Sequence, residues 1–222
     1  MRALAHTAVF VVLFALSFPM RAPAGEVIDR IVVTVNGTAI LESDWHEAVR
    51  FECLLEQKAL QSLTPADLKA TLERVIDQTL IRQQMQSSKF SMLSAAETSR
   101  RVHEIQEQAA RNFAQRPGIT WEQALEKYGL SNEQFEARAG LQVKTLGFID
   151  GRFRPNIRID RASVETYYRE KLLPEVQRNG GKQTPLAEVS PKIEELLVQQ
   201  RMDEMLTAWL HSLRAQSEVK LR

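Results

Sequence analysis

Cysteine is almost absent from this sequence, which has Cys53 alone among its 222 residues. A single cysteine forms no disulfide within one chain, and it excludes zinc and iron–sulfur sites that are built from several cysteines. The sequence also has no excess of charge of either sign, with 29 basic and 28 acidic residues. A balanced chain is attracted only weakly to nucleic acid or to an anionic membrane surface, so we expect neither as a partner.

The sequence motifs of the common catalytic, metal and nucleotide sites are missing as well. HExxH and CxxC do not occur, and no two histidines have the i,i+4 spacing that places two metal ligands on one helical face. There is no G-x-S-x-G motif, no P-loop and no dinucleotide fingerprint. We therefore expect no metal, no cofactor, no ATP-driven step and no enzymatic activity.

The first 24 residues have a different character from the rest of the chain. Arg2 gives a positive start, residues 8–18 form an apolar run of 11 residues, and Ala22-Pro23-Ala24 is a small-residue cleavage motif. As a helix this run would rise about 16 Å, roughly half the thickness of a bilayer core. The pattern predicts a cleaved secretory signal over 1–24 instead of a membrane anchor, and an exported protein with no stable membrane insertion.

Strand-forming residues occur at both ends of the mature chain. Residues 27–35 are rich in isoleucine and valine, and Asn36-Gly37 suits a tight hairpin turn, so residues 38–41 are the expected return strand. Residues 219–222 alternate apolar and basic side chains. A short strand needs a sheet to pair with, and the other strand candidates lie in the N-terminal hairpin. We therefore predict that the two ends meet in one small sheet.

Between these strands, capping residues and apolar periodicity predict helices. Ser43 is predicted to cap a helix that ends near Gln57, and Thr64-Pro65 begins another that ends near Met85. Capping boxes, in which a Glu or Gln follows a hydroxyl residue by three positions, mark three more starts. Those starts are Ser94 with Glu97, Thr120 with Gln123, and Ser131 with Gln134. They predict helices near 94–115, 120–128 and 131–153, an extended piece near 155–159, and a further helix from Asp160.

The remaining part of the chain contains a predicted loop and a long final helix. Residues 174–185 hold two prolines and two glycines without periodicity, which is typical of a linker. The helix after it has a broad apolar face, with Pro191 expected in its first turn. The fold class is therefore mostly α, with a multi-helix core and a small sheet built from the N-terminal hairpin and the C-terminal strand.

Three glycines lie in one predicted helix. Gly140, Gly147 and Gly151 fall within about 20° of one line, since each residue turns a helix by about 100°. Each costs about 1 kcal/mol relative to alanine, so the absence of a side chain should serve the structure. Two explanations stay open: close approach of a neighbouring helix, or a kinked or mobile helix that lines a groove.

The two ends of the mature chain resemble one protein family. The segment IDRIVVTVNGTAILESDW, residues 28–45, resembles the opening of SurA-type periplasmic chaperones, in which a D-R-I-V-x-V-V-N strand precedes a short strand and a helix. The segment from Pro185, PLAEVSPKIEELLVQQRMDEMLTAWLHSLRAQSEVKLR, resembles the closing helix and strand of that family, with Trp209 and the pair Leu213-Arg214 in place. The resemblance covers nearly the whole mature chain and implies a SurA-type helical core.

One departure from the family bears directly on function. SurA-like proteins carry a parvulin-type prolyl isomerase domain between the Tyr-Tyr helix and the closing helix, whereas this sequence has 16 residues between Tyr168 and Pro185. No independent domain folds in that length. The expected organisation is a chaperone core from residues 25–173 plus 186–222, with residues 174–185 as a short linker in place of the isomerase domain.

The resemblance implies a periplasmic, ATP-independent holdase that binds unfolded outer-membrane or other envelope proteins through an apolar groove. Methionine and aromatic side chains adapt to varied partners, so they are the candidate lining residues. These candidates are Met85, Met92, Phe113, Phe148, Phe153 and Met202. Two alternatives remain: an assembly module for a fixed partner, in the form of a homodimer that exchanges its terminal helix and strand, and a residual prolyl isomerase.

Overall fold

The computed structural model describes residues 29–88 and 93–222. The signal segment predicted at 1–24 lies outside the described residues, as do positions 27–28 of the predicted first strand and the candidate Met92. The described part of the chain consists mostly of helices, together with one small antiparallel sheet. The predicted fold class is therefore confirmed.

Three short strands form the sheet, in the spatial order β2, β1, β3. The strands are β1 Ile31–Val35, β2 Thr38–Leu41 and β3 Val219–Leu221. Both neighbouring pairs are antiparallel. Asn36 and Gly37 form the turn between β1 and β2 with φ angles of 49° and 81°, as their residue types predict. The pairing of β3 with β1 confirms that the two ends of the described chain meet.

Asn36 also fixes the residues that lead into β3. Its backbone N–H donates to the carbonyl of Glu218 at 2.9 Å, and its side-chain Oδ1 accepts from the Glu218 N–H at 2.8 Å. Its Nδ2 donates to Ser217 Oγ at 3.2 Å. One turn residue thus satisfies three polar groups of a segment that is about 180 positions away in sequence.

The first two helices are α1 Glu42–Glu56 and α2 Pro65–Ser87, with a 3₁₀ turn at Leu60–Ser62 between them. α2 begins as predicted: the Thr64 hydroxyl accepts from the Asp67 N–H at 3.2 Å, and the Asp67 carboxylate accepts from the Thr64 N–H at 2.8 Å. Each group thereby satisfies one of the free amides of the first turn.

The prediction that Ser43 caps α1 is wrong, because Leu41 occupies the N-cap position. The Asp44 carboxylate accepts from the Leu41 N–H at 3.4 Å. The hydroxyl of Ser43 donates instead to the carboxylate of Asp29, just before β1. β2 therefore runs directly into α1 without an intervening loop.

The three helices in the middle of the chain are α3 Ala95–Gln115, α4 Trp121–Tyr128 and α5 Asn132–Phe153. Their predicted N-caps, Ser94, Thr120 and Ser131, are confirmed, since each hydroxyl accepts from the backbone N–H three residues later. The capping box is reciprocal at the second and third starts only. At the first, the Glu97 carboxylate turns to Arg100 and Arg101.

The following segment is more helical than its sequence suggests. Pro155 lies in a 3₁₀ turn at Arg154–Asn156, so only the later part of the expected piece at 155–159 is extended. The next helix comprises α6 Arg161–Tyr167, a π-helical turn Tyr168–Leu172 and α7 Leu173–Arg178. The first five positions of the loop predicted at 174–185 are therefore helical, and Pro174 lies inside this continuous helix, directly after the π-helical turn.

The long final helix, α8, spans Leu186–Ala215. Pro191 lies inside it and not in its first turn as predicted, because α8 begins directly after Pro185. Near its other end, Arg214 Nε donates to the Asp77 carboxylate at 2.6 Å and Arg214 Nη1 to the Glu73 carboxylate at 2.5 Å. These hydrogen bonds join α8 to α2 and raise the pKa of the Arg214 guanidinium. The hydrogen bond that Arg214 donates to Asp77 has the largest effect.

The described core consists of three apolar clusters. One lies among α1, α3, α4 and α5, where Phe135 is fully buried against Phe51 and Trp121 at ring-centroid distances of 5.5 and 4.8 Å. The second packs the sheet against α2 and the end of α8. The third fills the space between α2, α5 and α8. The final helix therefore contributes to two of the three clusters, and in both it packs with α2 from the first half of the chain.

Candidate functional site

The described residues that the sequence suggested as groove-lining are core side chains in this structure. Met85, Phe148, Phe153 and Met202 lie together in the cluster between α2, α5 and α8, and each is at most 8% exposed. Phe113 is 1% exposed in the cluster around α1 and α3. Four of the candidates are thus brought together, but as the contact between helices.

Trp209 of α8 shows how closely this inter-helix contact is filled. Its ring lies 6.2 Å from that of Phe148 and 5.6 Å from that of Phe153, measured between centroids. The guanidinium carbon of Arg152 lies 4.7 Å from the Trp209 ring centroid and covers its outer face. An unfolded chain would therefore reach the buried rings of Phe148 and Phe153 only if α5 separated from α8.

Open apolar surface lies instead around Leu146 of α5, whose side chain is 55% exposed. A cavity of about 650 Å³ lies on one side of it, between α3 and α5. Its apolar lining is supplied by Leu55, Ile105, Ala109, Val143 and Leu146. This volume and lining suit one or two large apolar side chains of a bound segment.

A second cavity, of about 370 Å³, lies on the other side of Leu146, between α5 and α8. Leu93, just before α3, and Leu206 of α8 form its walls, and the buried Met202 reaches its edge. Because Leu146 and Arg101 line both cavities, the two form one continuous surface. We call this surface the Leu146 groove.

Two of the three stripe glycines lie in the Leu146 groove. A Cβ at Gly147 would lie 2.7 Å from Leu93 Cδ1, so the missing side chain allows Leu93 to rest on α5. A Cβ at Gly151 would meet nothing within 4 Å. A Cβ at Gly140 would face α3 instead, at ordinary van der Waals distances from Val102 and Thr98. One glycine therefore permits close packing, and another leaves the wall of the second cavity open.

The rim of the groove carries charges that are already paired. Glu97 accepts from Arg100 at 2.7 Å and from Arg101 at 2.9 Å, and these hydrogen bonds lower the pKa of the Glu97 carboxyl. On the α5 side, Arg154 Nε donates to Asp150 at 2.6 Å. The rim thus presents a mixed polar border around an apolar floor, without a field of one sign.

The described residues offer little for covalent or metal chemistry. No group of three His, Cys, Asp or Glu side chains in the described ranges is arranged to hold a metal ion. Cys53 is buried, and burial raises the pKa of its thiol, which disfavours the reactive thiolate. What the site offers is contact area for an apolar ligand.

Sequence reasoning missed the four leucines of this groove, Leu55, Leu93, Leu146 and Leu206. The signal that pointed nearest to them was the glycine stripe, since Leu146 precedes Gly147 directly. Leu93 could not be assigned from the sequence, because it lies outside every predicted apolar stripe and meets Gly147 only through the tertiary fold.

Comparison with known proteins identifies the family of this chain. The family described as the SurA-like N-terminal domain matches residues 2–145, from which α6, α7, α8 and β3 are excluded. No curated protein matches the sequence. Among the helices of residues 29–88 and 93–222, none has both the length and the apolar composition needed to cross a bilayer. No parvulin domain is evident in the 222 residues. Because the match covers more than half of the chain, the protein belongs to the SurA-like N-terminal domain family.

Proposed function

We propose that this protein is a periplasmic, ATP-independent holdase that binds unfolded envelope polypeptides in the Leu146 groove. The observation that carries the proposal is the exposure of Leu146, a large apolar side chain between two adjoining apolar cavities. Exposed apolar surface with a polar rim is typical of binding sites, because contact with water is unfavourable for apolar side chains and a bound partner removes it.

Family membership supports this assignment. The SurA-like N-terminal domain is the non-catalytic part of its chaperone family, and the family is periplasmic. The signal-like features of residues 1–24 agree with export. No parvulin domain is evident within these 222 residues, which supports binding and release as the proposed activity.

Unfolded outer-membrane proteins fit the groove in chemistry, since their strands alternate apolar and polar residues. An extended segment places successive apolar side chains on one face, about 7 Å apart. Adjacent side chains of that face would enter the two cavities on either side of Leu146, while the polar side chains remain in water beside the paired charges of the rim.

The expected affinity is weak enough for release without ATP. Covering about 400 Å² of apolar surface contributes roughly 10 kcal/mol. Ordering the bound segment costs about 2 to 5 kcal/mol, and lost translational freedom costs about 4 or more. The difference, about 4 kcal/mol at most, corresponds to a dissociation constant of about 1 mM or above for one bound segment. A client held this loosely leaves spontaneously when its folding partner is available.

Replacement of Leu146 by aspartate tests the proposal. The change removes an apolar contact worth about 1.5 kcal/mol or more and adds a charge, so we expect about tenfold more protein to be required to suppress aggregation of an unfolded porin. Light scattering of the diluted porin, at increasing protein concentration, gives this value directly.

Leu196→Asp is the matched control. Leu196 lies on α8, is 40% exposed and lines neither cavity of the groove. The Leu196→Asp variant should suppress aggregation as well as the unmodified protein does. Thermal melting of both variants excludes unfolding as the cause of any difference. Equal activity of the two variants would contradict binding at the Leu146 groove, and no suppression by the unmodified protein would remove the holdase proposal.

A further inference from the structure

The outer edge of β3 carries apolar side chains that no other described element covers. Five large hydrophobic side chains in the described ranges are more than a third exposed, and two of them lie in this three-residue strand. Val219 is 38% exposed and Leu221 is 74% exposed. Their cross-strand neighbours on β1, Val35 and Val33, are fully buried on the same face of the sheet.

The hydrogen bonds between β1 and β3 show which backbone groups remain free. The Asn36 N–H donates to the Glu218 carbonyl, and the Arg222 N–H donates to the Val32 carbonyl. In an antiparallel ladder the bonding direction alternates along the strand. The even-numbered residues of β3 therefore bond to β1, and the N–H and C=O groups of Val219 and Leu221 point outward from the sheet.

The charges along this edge restrict what can pair with it. Glu218, Lys220 and Arg222 alternate with the two apolar residues, and Lys220 Nζ lies 2.6 Å from Glu218 Oε1. When two copies of this segment are aligned antiparallel with Val219 opposite Val219, each Glu218 faces Lys220 of the other copy. A shift of two residues in one direction places Glu218 opposite Glu218. The opposite shift pairs each Glu218 with Arg222 but places Lys220 opposite Lys220 at the centre, and like charges in directly opposed positions are destabilising.

We propose that β3 pairs with β3 of a second copy of this chain, in the register that places Val219 on the two-fold axis. The two three-stranded sheets then form one six-stranded sheet, and the contact is isologous, as in most symmetric dimers. Val219 contributes outward hydrogen-bonding groups at the axis, and two Glu218–Lys220 pairs flank it. This pairing involves no exchange of elements, and it does not depend on peptide binding in the Leu146 groove.

Charge reversal on the two flanking residues tests the register. Glu218→Lys places lysine opposite lysine twice in the dimer, and Lys220→Glu places glutamate opposite glutamate twice. Each single change should weaken self-association by about tenfold or more, because attraction becomes repulsion at two pairs. The double variant E218K/K220E restores both pairs and should recover association. Sedimentation equilibrium over a wide range of protein concentration measures each constant.

Cysteine crosslinking supplies an independent measurement of geometry. In the proposed register the two Val219 Cα atoms are about 5.5 Å apart, a distance that a disulfide spans. Val219→Cys should therefore form a covalent dimer under mild oxidation. Leu221→Cys is the control, since its two copies would lie about 14 Å apart along the strands. The native Cys53 is buried and should not contribute.

Rescue by the double charge reversal together with crosslinking at position 219 alone would support the pairing. A monomer at every concentration would overturn it, as would a dimer that is insensitive to both charge changes. Crosslinking at position 221 in place of 219 would refute the register and with it the charge argument. Protection of the 219 thiol by an unfolded porin, without any self-association, would assign the edge to a client strand and would also overturn the proposal.

Discussion

Replacing the glycines of α5 by alanine, one at a time, tests how the structure uses each of them. At Gly140 the new Cβ would lie 3.9 Å from Val102 and 4.0 Å from Thr98, which are ordinary contacts. Alanine should therefore stabilise the protein by about 1 kcal/mol through helix propensity alone. At Gly151 the Cβ would meet open space, so the same direction is expected, with a smaller gain because the last turn of a helix is less ordered.

Gly147 should behave differently. A Cβ at this position would lie 2.7 Å from Leu93 Cδ1 and 2.9 Å from Leu93 Cγ, so Leu93 has to move away from α5. The lost packing offsets the helix-propensity gain, and we expect a net change of zero or a loss of stability. In a Leu93→Ala background the obstruction is absent, and Gly147→Ala should then stabilise by about 1 kcal/mol.

Urea unfolding measures the whole series. With a slope of about 2 kcal/mol per molar urea, a gain of about 1 kcal/mol raises the midpoint by about 0.5 M. The coupling between positions 93 and 147 follows from the double-mutant cycle. Should Gly147→Ala stabilise the protein as much as Gly140→Ala, Leu93 would not rest on the α5 backbone, and the described wall of the Leu146 groove would be wrong.

Two further predictions concern the stability of the fold. The Lys58 and Thr64 hydrogen bonds hold the pKa of the Asp67 carboxyl well below its ordinary value of 3.8, so Asp67→Asn should destabilise the protein near neutral pH. That difference should be present in full above pH 3.8 and disappear as the pH falls toward the lowered pKa, and a constant difference in unfolding midpoint across this range would contradict it. Phe135→Ala should cost about 3 to 5 kcal/mol, because the ring is fully buried between Phe51 and Trp121, and urea unfolding would show a change below 1 kcal/mol if this cluster were loosely packed.

Local sequence signals determined the boundaries of most elements. Thr120 and Ser131 each begin a helix where their capping partners predict it, because both hydrogen bonds of a capping box form within four residues. Thr64 begins α2 where the pair Thr64-Pro65 predicts it. The Asn36-Gly37 turn is local in the same way. Where a competing partner exists, the local rule fails: Ser43 bonds to Asp29, and Glu97 pairs with two arginines.

The pairing of the two ends was also predictable, because the sequence contains few candidate strands. Strand patterns occur only near the two ends of the mature sequence, so the C-terminal strand can pair only with the N-terminal strands. The sequence was less informative about the linker, since Pro174 suggested a break but lies inside a continuous helix, directly after a π-helical turn.

Which apolar residues are covered was decided by tertiary structure alone. Residue type marked Met85, Phe148, Phe153 and Met202 as adaptable binding surface, yet the approach of α8 to α2 and α5 buries all four. Leu146, with no distinguishing motif, remains exposed because none of the helices in the described ranges packs over that side of α5. Composition and periodicity determine that a residue prefers burial, whereas the element that covers it depends on contacts between segments that are distant in sequence.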